Sequence, residues 1–257
     1  MDLLLRSLNI NDFEIINEIT AKVREAGKIS IFKLIPYSSV TPYLKIQNKG
    51  GSSHIARIYK VEHFYIDELG ETFVRQFVDG RKFFYAENKS LYLAQFEYID
   101  GVQYSEYFYY NGEIPLSYMS KLFIETFTGL NDIHSIGYYH GDLGSGENII
   151  LEGTINNWRR VVIIDIEGDK ITNQQQIDDD IRTLAFMLWT ILLDDIKVTL
   201  TYDTAGEIIH YKHPMFIDLV KSNFPKNEAY IRYMDALLWI FIDMPTINKI
   251  LDRLNSL

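Results

Sequence analysis

Apolar side chains recur along this chain in two rhythms, and the change between them predicts where its elements lie. Phe13, Ile16, Ile19 and Val23 fall near helical spacing, with Asn11 placed to cap and Gly27 to stop. That pattern predicts a helical extension over residues 1–28. Three strand-like runs follow at 29–36, 42–47 and 54–60, and the stretch from Asn48 to Ser53, with Gly50 and Gly51, reads as a hairpin turn between the last two. From about residue 62 to 78 the spacing turns helical through Phe64, Leu69, Phe73 and Phe77. Residues 81–85 and 91–98 return to strand. The order over 29–99 is therefore strand, strand, strand, helix, strand, strand: a small twisted sheet with one helix.

A change of character near Asp100 and Gly101 opens a mainly helical region, 100–257. Met119, Leu122, Phe123, Phe127, Leu130 and Ile133 share one face of a long helix that begins after Pro115. A loop and two short strands interrupt it across 137–151 and 159–165. Helices resume near 178–193, 215–222 and 229–241, and a last one ends the chain. Residues 197–212 alternate like a β-hairpin, placed either to line an acceptor site or to link two helices. The class is α+β.

Composition narrows the function. The 257 residues include no Cys, which excludes disulfides and thiolate metal sites. A formal net charge of -10 argues against a general nucleic-acid binder, whose affinity would need clustered Lys and Arg. It also disfavours docking on an anionic membrane. No run is long and apolar enough for a membrane span, and the start is a poor signal peptide, so the expected location is cytoplasmic. His63, His134, His210 and His213 are scattered without metal-ligand spacing.

Two segments carry candidate chemistry. The first is HGDLGSGENIIL, from His140 to Leu151, and the second is VVIIDIEG, from Val161 to Gly168. Each offers an acid at a turn or strand edge, and each acid by itself could be a loop cap. Together, in this order and with a strand hairpin between them, they resemble the catalytic loop and metal-binding motif of the protein-kinase-like superfamily. The His-Gly-Asp form is similar to aminoglycoside phosphotransferase-type small-molecule kinases. Asp165 followed by Ile-Glu-Gly is similar to bacterial lipopolysaccharide core heptose kinases.

The resemblance implies a bilobal kinase-like fold, with a nucleotide-binding lobe over 29–99 and a catalytic lobe over 100–257. It implies ATP and Mg2+ as cofactors and a hydroxyl-bearing acceptor. Asp142 would take the proton of the attacking hydroxyl, while Asn148 and Asp165 would hold magnesium. In the family that Asn follows the catalytic Asp by five residues. Here Asn148 is six after Asp142, leaving Glu147 as the alternative. The family's third strand carries a phosphate-contacting Lys, for which Lys60 is the candidate and Arg57 the alternative. Glu71, or Glu68 one turn earlier, would hold that Lys from the following helix. FEYIDG, from Phe96, resembles the inter-lobe hinge, whose backbone between Glu97 and Ile99 would pair with adenine. Asp180 would anchor the catalytic loop, and His140 would brace it.

Two departures bear on the acceptor. The first hairpin turn, at 36–40, has no glycine-rich run, so backbone N–H groups and Ser hydroxyls would cradle phosphate. Asp165 and Asp180 lie 15 positions apart, too few for the peptide-gripping segment of typical protein kinases. Three readings follow: a kinase for a sugar, glycan or other small molecule; an atypical kinase for a protein hydroxyl; and a pseudokinase that binds without catalysis.

Overall fold

A computed structural model describes residues 1–17, 19–65, 90–106, 116–154, 157–194 and 228–257. It divides into two compact units, Met1–Ile99 and Asp100–Leu257. In the first, α1 (Asp2–Ser7) precedes β1 (Phe13–Asn17), β2 (Thr20–Glu25) and β3 (Lys28–Ile35). Then come α2 (Tyr37–Asn48), β4 (Ile58–Tyr65) and β5 (Ser90–Glu97). The five strands form one antiparallel sheet in the order β1-β2-β3-β5-β4.

The expected helical extension is instead the first two strands. Ala21 and Val23 are buried while Arg24 is exposed and Lys22 only half-buried, an alternation that belongs to a pleat. Glu25 pairs directly with Lys28, and the two residues between them, Ala26 and Gly27, have φ of 49° and 76°. That is the two-residue turn whose twist suits a hairpin. Gly27 therefore turns a hairpin and does not stop a helix.

Residues 42–47, expected as strand, lie within α2. Val40, Tyr43 and Ile46 are its buried face, spaced by three. Gly50 and Gly51 end it at positive φ, and the Gly51 N–H donates back to the Ile46 carbonyl at 3.0 Å. The Gly-Gly pair is a helix stop where a hairpin turn was expected. The strand expected at 54–60 begins at Ile58, and the helix expected from 62 is β4 as far as Tyr65; its remainder, Glu68 and Glu71 included, and the strand at 81–85 lie outside the described residues. So do the helix at 215–222 and the hairpin at 197–212.

Each face of the sheet is covered differently. Leu4 and Leu5 of α1, with Met1 and Ile10, pack on Ala21, Val23, Phe32, Leu34, Leu91 and Leu93. On the other face, Tyr43 of α2 meets Phe96 edge-on at 4.8 Å and Tyr37 meets Tyr92 at 5.2 Å.

In the second unit, β6 (Gly101–Gln103), β7 (Ile149–Thr154) and β8 (Asn157–Ile163) form a three-stranded antiparallel sheet. A Cβ on Gly101 would lie 2.2 Å from the Leu151 carbonyl oxygen, so only glycine lets β6 approach β7 there. The helices are α3 (Leu116–Ser135), α4 (Gln174–Asp194), α5 (Glu228–Asp243) and α6 (Ile247–Asn255). The apolar face expected on α3 is found: Leu122, Phe123, Phe127, Leu130 and Ile133 are fully buried and Met119 nearly so. No described helix is long and apolar enough to cross a membrane.

Phe123 meets Tyr233 of α5 edge-on at 5.3 Å. Phe123→Ala should cost about 3–5 kcal/mol through lost burial and the cavity left behind. Urea denaturation checks this; a cost under about 1 kcal/mol would show that α3 does not anchor the core.

Candidate active site

The loop between α3 and β7 is shaped by one buried carboxylate. Asp180, on α4, accepts the backbone N–H of His140 at 2.6 Å and of Gly141 at 2.9 Å, and sits 2.9 Å from His134 Nε2. It is 4% exposed, so these bonds replace the water it has lost. Gly141 has φ +83°, which lets successive N–H groups turn towards one acceptor.

His140 fixes the loop from inside. Its Nε2 lies 2.9 Å from the Ile164 carbonyl and so must donate, leaving Nδ1 to accept the Asp142 N–H at 3.2 Å. The ring is neutral and satisfied at both nitrogens. Burial pushes its pKa below the ordinary 6.5, against smaller opposing pulls from the Ile164 carbonyl and the Asp180, Asp142 and Asp165 carboxylates. Its carbonyl accepts the N–H groups of Glu167 at 3.0 Å and Gly168 at 2.7 Å. A Cβ on Gly168 would lie 2.1 Å from the Tyr139 carbonyl oxygen.

Asn148 ends the loop, 8% exposed. Its Nδ2 donates to the Asp142 backbone oxygen at 2.7 Å and to Asp142 Oδ2 at 2.9 Å. Both amide hydrogens are thereby used, and Oδ1 is left as the atom able to meet a cation. Gly146, at φ +70°, and a Glu147 N–H to Ser145 Oγ bond of 3.3 Å form a turn that takes up the additional residue. Glu147 is exposed, so Asn148 is the residue beside Asp142.

The hairpin β7–β8 brings in the second motif. Ile149 pairs with Ile163, and one step on, the Ile164 N–H donates to the Asn148 carbonyl at 2.9 Å. Asp165 follows at φ +55°, a left-handed conformation that costs a non-glycine residue on the order of 1 kcal/mol. Such strain turns the chain out of the strand and is common at functional sites. Asp142 and Asn148 thus touch within one loop, and Asp165 follows the hairpin end tied to that loop through the Ile164 N–H and the Asn148 carbonyl. Among the described residues there is no cluster of three or more His, Cys, Asp or Glu able to hold a metal by themselves. Oxygen donors supplied partly by a substrate would have to complete such a site.

In the first unit, Lys60 does not occupy the place expected of it. It lies on the fourth strand, is 64% exposed and pairs with Glu62. Lys60 is opposite Gln95, whereas Lys33 is opposite Ala94 and Thr20. Neighbours along a strand point to opposite faces, so Lys60 and Lys33 face opposite ways. Lys33 is the lysine of the third strand, half-buried on the face that meets α2. The sequence reading missed it because the first two strands were read as a helix, which moved the count. Arg57 precedes β4; its N–H donates to Glu97 Oε2 at 3.3 Å, and its carbonyl accepts the Glu97 N–H at 2.8 Å. The helix after the third strand is α2, which carries no Asp or Glu. Glu97 ends β5, the backbone leaves the ladder at Tyr98, and Ile99 is buried.

No protein-family model matches the sequence, and no curated protein matches it significantly. Solved structures do resemble it. Rad53 residues 1–466 in complex with AMP-PNP align over 98% of this chain and 69% of that one, with 20% identity and a TM-score of 0.61. The Rad53 kinase domain and SCD2 align over 94% and 88%, with 17% identity and a TM-score of 0.57; their complex with AMPPNP gives 19% and 0.59 over the same shares. The chain therefore has a protein-kinase-like fold.

Two outcomes follow from the loop. Asp180→Ala strands two backbone N–H groups and His134, and should cost roughly 2–4 kcal/mol in chemical denaturation; an unchanged midpoint would remove its anchoring role. The buried neutral His140 stabilises fully above its unfolded pKa of about 6.5. That contribution is lost as pH falls from there through the lowered folded value, because the unfolded chain takes the proton first. Melting temperatures between pH 7.5 and 5 should fall more steeply for the wild type than for His140→Asn, and parallel curves would contradict this.

Proposed function

We propose that the chain is an ATP- and magnesium-dependent phosphotransferase that moves the γ-phosphoryl group to a hydroxyl of a sugar, glycan or other small molecule. The observation that carries this is the Asn148–Asp142 pair, set beside the Asp165 turn on a loop that Asp180 holds. Asp142 is exposed, and its Oδ2 takes only a neutral amide donor among the bonds described for it, so a hydroxyl can reach it.

In the transfer, the acceptor oxygen forms a bond to the γ-phosphorus as the bond to the β–γ bridging oxygen breaks. ADP leaves, and Asp142 takes the hydroxyl proton. Asn148 Oδ1 and the Asp165 carboxylate are hard oxygen donors that suit magnesium. When bound, that ion would neutralise phosphate charge. Lys33 is the residue proposed for the phosphates in place of Lys60, and the backbone from Glu97 to Ile99 for the adenine edge. The AMP-PNP and AMPPNP held by the similar Rad53 structures support nucleotide as the ligand class.

The likeness to Rad53 favours a second reading, a kinase for a protein hydroxyl. The short chain between Asp165 and Gln174 weighs against it, because a peptide platform would need more length there. A non-catalytic nucleotide binder draws support from the acid-free α2 and the glycine-free β1–β2 turn.

The deciding experiment measures magnesium-dependent ATP turnover across a panel of sugar, small-molecule and peptide hydroxyls. Asp142→Ala should lower turnover by roughly 10²- to 10⁴-fold with the fold retained. Asp165→Ala should remove the magnesium dependence of ATP binding. Lys33→Met should weaken ATP binding while Lys60→Met leaves it unchanged. Peptide phosphorylation alone would select the second reading, ATP binding without any turnover the third, and no ATP binding would overturn all three.

A further inference from the structure

Lys22 lies on the sheet face that carries Lys33. It pairs with Ile31 on β3, and Ile31 pairs with Phe96 on β5, so the three form one cross-strand row. The face opposite is filled by Ala21, Val23, Phe32 and the α1 side chains. The Lys22 ammonium donates to the Tyr98 hydroxyl at 3.0 Å and stands 4.2 Å from the centre of that ring. Tyr98 is the residue between Glu97 and Ile99. Because β3 separates β2 from β5, this bond reaches across β3 to the residue that follows the end of β5.

We propose that Lys22 is a specificity-determining residue for the nucleotide base, and that the site takes guanine as well as adenine nucleotides. The inference rests on the nucleotide-binding reading above. An ammonium donates three hydrogens and accepts none. One goes to Tyr98, and the others need acceptors. Guanine presents O6 and N7 as adjacent acceptors, whereas adenine sets N7 beside an amino donor. Tyr98 holds the ammonium at the segment read as pairing with the base, so the lysine discriminates where an aliphatic residue could not.

The test is calorimetric binding of non-hydrolysable ATP and GTP analogues, with magnesium, to the full chain. Lys22→Met keeps the length of the side chain and removes its charge, and should shift the ratio of the two dissociation constants roughly tenfold towards ATP. Tyr98→Phe removes the hydroxyl that holds the ammonium and should shift the ratio in the same direction by a smaller factor, which keeps the assignment testable where the Lys22 variant fails to fold. An unchanged ratio in Lys22→Met, or equal changes for both nucleotides, would overturn the assignment of Lys22 while leaving nucleotide binding intact. If the wild type binds neither analogue, the nucleotide reading fails and this inference fails with it.

Discussion

One buried carboxylate organises the loop between α3 and β7. Asp180 receives the backbone N–H groups of His140 and Gly141 and lies beside His134, three contacts drawn from α3, the loop after it and α4. A carboxylate stripped of water needs such donors, and backbone donors once committed cannot wander. The loop path is therefore set before any ligand arrives. His140 extends the constraint by donating to the Ile164 carbonyl and accepting the Asp142 N–H, which ties the loop to the end of β8.

On that frame the side chains of the two motifs are presented with little local regularity. Asp165 holds a left-handed conformation, and Asn148 spends its amide hydrogens on Asp142, which leaves Oδ1 as its acceptor atom. At Gly168 beside Tyr139 and at Gly101 beside Leu151 the backbones come too close for a side chain.

The sheet unit shows a different kind of constraint, that of register. Lys60 and Lys33 are both strand lysines, yet one pairs with Glu62 on a largely exposed surface and the other is half-buried on the α2-facing side. A shift of one residue in pairing would exchange those faces. The Ala26–Gly27 turn fixes the β2–β3 register, and through it the positions of Lys22, Ile31 and Lys33.

Much was legible in the residues themselves. The two acid-bearing motifs, the hairpin between them and the apolar face of α3 follow from local order and spacing, since they depend on near neighbours or on a strong 3.6-residue period; the anchoring place of Asp180, some 40 positions from the loop it holds, came only through the family resemblance. The expected order over 29–99, three strands, a helix and two strands, does not hold: those residues run β3, α2, β4 and, after residues outside the description, β5. Residues 11–26 satisfy helical and alternating spacing at once, and residues 42–47 do the same. Only the docking of α1 on one sheet face and α2 on the other decides between them. Sequence spacing thus determined which groups could do chemistry, and tertiary structure decided which lysine shares a face with α2, because strand pairing is a long-range choice that no local period encodes.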